Sequence, residues 1–107
     1  MGAIINGVAK YPLVTEGVAG NVTLQPGTQV ARVDTTAARS VDLPTAACYD
    51  GNVVKIVDVT GGAGLNNITV TTQGAETIDG LASVAMAEAF GSITFVSDGS
   101  NWFTCAD

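Results

Sequence analysis

Apolar and polar positions alternate with a period of two along most of the chain beyond Thr28, the signature of half-buried strands. Val30, Arg32 and Asp34 alternate with Ala31 and Val33, and Val41 and Leu43 share one face of Ser40–Leu43, which Pro44 ends. Asn52–Thr60 is apolar in both registers, interrupted only by Lys55 and Asp58. Such a run predicts a strand covered on both faces, as in a central strand or one lying against a partner subunit. Ile68–Thr72, Ser83–Glu88, Gly91–Ser97 and Trp102–Cys105 follow, with a hairpin signal at Asp98-Gly99-Ser100-Asn101. Strands at this spacing, punctuated by Asp-Gly turns, predict an antiparallel meander within a small β-sandwich or barrel-like domain.

The first 27 residues break the pattern. Gly7, Pro12, Gly17, Gly20 and Pro26-Gly27 separate short apolar runs, and proline and glycine at that density interrupt ladders. The expectation is an extended N-terminal arm over residues 1–27 holding one short strand near Asn21–Leu24, followed by a β-domain over residues 28–107, the whole being a single domain. Gly61-Gly62-Ala63-Gly64 reads as a flexible loop.

Composition sharpens this picture. The chain has 107 residues, 47% of them hydrophobic and 13% charged, and no histidine. That length supports one core rather than two. Without histidine, Ser–His and Cys–His catalysis and ordinary zinc chemistry are excluded. The net charge of −6 is unevenly spread. Residues 1–55 hold every base (Lys10, Arg32, Arg39, Lys55) against Glu16, Asp34, Asp42 and Asp50, whereas residues 56–107 hold only acids. Nucleic acid and anionic membranes would repel such a chain. No segment has the basic flank and apolar stretch of a signal peptide, or the length of a membrane span. Cys48 and Cys105 read as two free structural thiols, a single long-loop bridge being the alternative.

Few constellations suggest chemistry. Glu76 and Asp79 are a close acidic pair, but they flank Thr77-Ile78 before Gly80, where a turn accounts for both. The glycine-rich stretch lacks the Lys-Ser/Thr of a phosphate loop. Asn21-Val22-Thr23 and Asn67-Ile68-Thr69 match the glycosylation pattern at strand starts, with no export signal. Trp102 is a candidate sugar-stacking residue, weighed against the simpler reading as an anchor of the terminal hairpin. Adjacent Trp102 and Phe103 must point to opposite faces of their strand.

The order of motifs across residues 43–102 resembles a family of phage virion domains. It runs Leu43-Pro44, the Gly51–Asp58 strand with Lys55 and Ile56, Asn66-Asn67-Ile68-Thr69-Val70, Glu76-Thr77-Ile78-Asp79-Gly80, Phe90-Gly91-Ser92 and Ser97-Asp98-Gly99-Ser100-Asn101-Trp102. The resemblance implies a β-structured virion component, typically a homotrimer, found in tail or head fibres and in capsid decoration (cement) proteins. It implies no catalytic residue, cofactor or metal. A Met1 start and a module reaching nearly to Asp107 lead us to expect a complete small protein, which favours decoration over a fibre.

The expected function is a capsid decoration protein whose partners are its own copies and the major capsid protein, with no nucleic acid, membrane or small-molecule substrate. It would be assembled in the host cytoplasm and reside on the outer capsid surface of the virion. Ile4, Ile5, Lys10, Tyr11 and Leu13 of the arm are the candidate capsid contacts. Val53, Val57, Val84 and Met86 are the candidate subunit contacts. The alternative is a fibre module for host-surface glycan attachment, with Trp102 as its glycan contact. On the first reading, the neutral N-terminal half is the docking side and the acidic C-terminal half the solvated side.

Overall fold

A computed structural model describes residues 15–105. The strands are β1 (Thr15–Val18), β2 (Val22–Thr23), β3 (Val30–Val33), β4 (Arg39–Leu43), β5 (Val53–Asp58), β6 (Ile68–Thr72), β7 (Ser83–Met86), β8 (Ser92–Ser97) and β9 (Trp102–Cys105). The one helical piece among the described residues is a 3-10 turn at Thr45–Ala47. The fold is mostly β, as the alternation predicts.

Its sheets are mixed, which corrects the antiparallel expectation. One sheet has the order β1-β3-β5-β8-β9 and the other β2-β4-β6-β7. Pairing is parallel for β1–β3, β3–β5, β2–β4 and β4–β6, and antiparallel for β5–β8, β6–β7 and β8–β9. Up to β6 the chain changes sheet at every turn, so each strand pairs with the next but one and runs the same way. Links such as Ala19–Asn21 and Asp34–Ala38 have only to bridge the roughly 10 Å between packed sheets. The expected meander over Ile68–Cys105 is broken in the same way, because β7 leads across to β8 in the other sheet.

The Asp-Gly pairs explain why the sequence suggested otherwise. Asp98-Gly99 does close the β8–β9 hairpin, but Asp79-Gly80 makes a tight turn outside the named strands. There both residues have positive φ (52° and 80°), and Ile78 and Leu81 exchange backbone hydrogen bonds of 2.8 Å.

The inner faces merge into one core. Ala31, Val33, Val54, Ile56, Phe95 and Trp102 from the first sheet meet Val41, Leu43, Ile68, Val70 and Met86 from the second. Residues 15–27 contribute to it as well. Val18 and Leu24 are buried, and β1 and β2 each pair in a sheet. Gly17 within β1 and Gly20 just after it had masked this strand. The remainder of the expected arm, residues 1–14, lies outside the described residues.

Both sheets also draw strands from both halves of the chain. The expected split into an N-terminal docking half and a C-terminal solvated half therefore does not survive folding.

Candidate functional site

Register and burial fix which side chains leave the core on each sheet, and the two outer faces differ in chemistry. On the five-stranded sheet, Val53 lies opposite Val96, which lies opposite Phe103. Val30 pairs with Lys55 and Arg32 with Val57. These residues alternate with the buried Ala31, Val33, Val54, Ile56, Phe95 and Trp102, so they point outward. Val53 remains 44% exposed and Phe103 43%, while Val30, Val57 and Val96 are half-buried. This face thus carries the apolar rank Val53, Val96 and Phe103, followed by a mixed rank of Val30, Lys55, Thr94 and Cys105 and then Arg32, Val57 and Ser92.

The outer face of the four-stranded sheet is a hydroxyl array. One rank is Thr23, Asp42, Thr71 and Ser83, and the next is Ser40, Thr69 and Ala85. Asp42 accepts hydrogen bonds from both strand neighbours, Thr23 Oγ1 at 3.3 Å and Thr71 Oγ1.

The loop after β5 is held, not flexible, and the anchor is Asp58. Its carboxylate is 1% exposed. Oδ1 accepts hydrogen bonds from Thr35 Oγ1 (2.7 Å) and the backbone N–H groups of Thr60 (2.9 Å) and Gly61 (2.8 Å); Oδ2 accepts from Ala63 (3.1 Å) and Phe90 (3.0 Å). Thr35 Oγ1 in turn accepts the Gly62 N–H at 2.7 Å. Burial pushes the Asp58 pKa up, but the bonds from Thr35, Gly61, Thr60 and Ala63 outweigh it and hold the carboxyl well below the usual carboxylate range.

The other carboxylates serve turns. Asp79 accepts from Thr104 N–H (3.0 Å) and Oγ1 (2.5 Å), bonds that lower its pKa. Glu76 accepts from Thr45 Oγ1 at 3.3 Å. The acidic pair is thus divided between two separate structural contacts. Among the described residues, no group of His, Cys, Asp and Glu is placed to hold a metal ion, and no helix is long and apolar enough to cross a membrane. Both cysteines are free; Cys48 Sγ lies 3.1 Å from Ser97 Oγ, and Cys105 is exposed on β9. A groove of about 220 Å³ runs between Ala85–Glu88 and Gly91–Ile93, where the chain crosses between the sheets.

The expected site residues fall in different places. Val53 and Val57 lie together on the apolar outer face. Val84 is half-buried against the core, and Met86 is 4% exposed and packed within it. Met86 is therefore corrected from a subunit contact to a core residue: its position on β7 points between the sheets, opposite Ile68. Trp102 is corrected too, because at 0% exposure it offers no ring face to a sugar. Its indole Nε1 is buried with no hydrogen-bond partner among the described residues. Ile4, Ile5, Lys10, Tyr11 and Leu13 lie outside the described residues.

Sequence reasoning missed Arg32, Val96 and Phe103 as members of one face. The available signal was the alternation Val30/Arg32 and Val53/Lys55/Val57 in strands whose other register was already apolar. It also passed over Asp58, whose signal was a lone acid in an apolar strand followed by Thr60-Gly61-Gly62. Comparison with protein-family models and with curated proteins finds no match to this chain.

Proposed function

We propose that this chain is a structural virion protein, a capsid decoration (cement) protein that binds the outer capsid surface as a homotrimer and stabilises the shell. The observation that carries the reading is the difference between its two outer faces: one bears the apolar rank Val53, Val96 and Phe103, the other mostly hydroxyls. A decoration protein needs one side that buries against a shell and one that stays wet. The motifs of the virion resemblance supply strands and turns of this sandwich rather than the walls of a cleft.

The action is mechanical. Copies bound across capsomer junctions favour the assembled shell by mass action, because they bind it and not its separated parts. The fibre alternative loses its glycan contact with the burial of Trp102. The test is to add purified protein to virus shells stripped of it and follow co-sedimentation and the temperature of shell rupture. Binding that raises the rupture temperature is expected; a protein that stays in the supernatant, or labels only tails, overturns the proposal.

A further inference from the structure

We infer that Asp79 closes the free edge of the five-stranded sheet against a second copy of this chain, its carboxylate standing where the carbonyl of an added strand would bind. The inference concerns the edge of β9 and does not rest on the decoration reading.

β9 ends the order β1-β3-β5-β8-β9, so its side away from β8 is a sheet edge. In an antiparallel pair, alternate residues direct their N–H and C=O groups to the neighbouring strand and the others direct theirs away. On β9 the residues that face away are Trp102 and Thr104. The Trp102 N–H donates to the Thr77 carbonyl at 2.8 Å, and the Trp102 carbonyl accepts the Asp79 N–H at 2.9 Å. Thr77–Asp79 thus acts as a strand one bridge long, with Ile78 paired in parallel to Trp102. The chain turns away at Gly80, and Asp79 meets the next donor of β9 with its side chain. Its carboxylate accepts the Thr104 N–H at 3.0 Å and Thr104 Oγ1 at 2.5 Å.

The carboxylate is not needed to hold this segment in place. Ile78 is buried in the core, and Asn101 Oδ1 accepts the Thr77 N–H at 2.9 Å and Thr77 Oγ1 at 3.1 Å. Nor does the backbone favour a side chain there. Asp79 has a φ of 52°, a left-handed conformation that glycine adopts at less cost. What glycine lacks is the oxygen that occupies the Thr104 N–H.

An uncovered strand edge is a template for another strand, and proteins blunt such edges with charged side chains. Here the strand that fits is a second β9. Thr104 presents a donor and an acceptor on one side, so two copies related by a two-fold axis can exchange N–H···O bonds through the same residue. The exposed Phe103 and Cys105 beside it would add apolar contact. With Asp79 present, the Thr104 donor is taken and the pairing would bring two carboxylates together near the axis. Like charges facing each other across paired strands are destabilising.

The test compares the full chain with Asp79→Gly and Asp79→Asn by sedimentation velocity over a wide range of concentration at pH 7, with thermal unfolding in parallel. Glycine keeps the left-handed turn and removes the carboxylate. Asparagine also tolerates that turn and retains an oxygen for the Thr104 N–H. The parent and Asp79→Asn are expected to hold one mass throughout, while the mass of Asp79→Gly rises with concentration toward about twice the parent's. Asp79→Gly is expected to melt no lower than the parent. Adding Thr104→Pro to Asp79→Gly removes the uncovered N–H at an edge position that tolerates proline, and should restore the parent mass. An Asp79→Gly chain that keeps the parent mass at every concentration, whatever its melting temperature, overturns the inference. So does association by Asp79→Asn equal to that of Asp79→Gly, or association that persists when Thr104→Pro is added.

Discussion

At the scale of single residues, Asp58 has the largest consequences for stability. It is a buried charge satisfied by hydrogen bonds from the loop it organises, at Thr60, Gly61 and Ala63, and from Thr35 and Phe90 outside it. Asn in its place would aim an amide N–H₂ at backbone N–H donors, so Asp58→Asn should cost about 3 kcal/mol. Thermal unfolding should show this as a melting temperature lower by more than about 10 °C. The pH dependence follows in sign. The folded-state pKa lies below the unfolded value of about 3.9. The stabilisation is therefore complete above that value and is lost as pH falls from about 4 toward the folded pKa. Denaturant midpoints measured from pH 6 down to pH 2 should fall for the parent and change less for Asp58→Asn. Trp102→Ala should cost about 3–5 kcal/mol, as large core truncations do, and any binding lost with it should follow the lost fold.

At the scale of elements, tight crossings between sheets matter more than strand propensity. A Cβ on Gly62 would lie 2.4 Å from the Thr35 carbonyl oxygen, whereas one on Gly27 would meet nothing within 4 Å. Gly62→Ala should therefore destabilise the chain by roughly 2 kcal/mol or more, as overpacking does, and Gly27→Ala should change stability by less than about 0.5 kcal/mol. Chemical denaturation of the two variants checks the contrast. These crossings also set how much of the fold could be read from the sequence. Period-two alternation located β3 through β9, and it correctly set Trp102 and Phe103 on opposite faces. It carried no information on whether a strand pairs with its neighbour in sequence or with the strand after that, because both arrangements bury the same alternate residues. Parallel pairing therefore stayed hidden. β1 was invisible because Gly17 interrupts it and Gly20 follows directly after its end.

At the scale of the whole molecule, the asymmetry of the sandwich was legible only in pieces. The sequence placed Val53 and Val57 in a strand with two apolar registers, but assigned docking and solvation to halves of the chain. Each sheet takes strands from both halves, so on the proposed function the two roles would divide between the sheets instead. Apolar subunit-contact candidates included Met86, which is buried in the core, and omitted Phe103, which the register sets beside Val96 on the outer face. The account's central claim is most directly tested by co-sedimentation of the full chain with virus shells, comparing Arg32→Glu with Ser83→Glu. The prediction is at least tenfold weaker binding for Arg32→Glu and parent-like binding for Ser83→Glu, with both variants melting within a few degrees of the parent. Equal binding by both variants, or loss confined to Ser83→Glu, would contradict it.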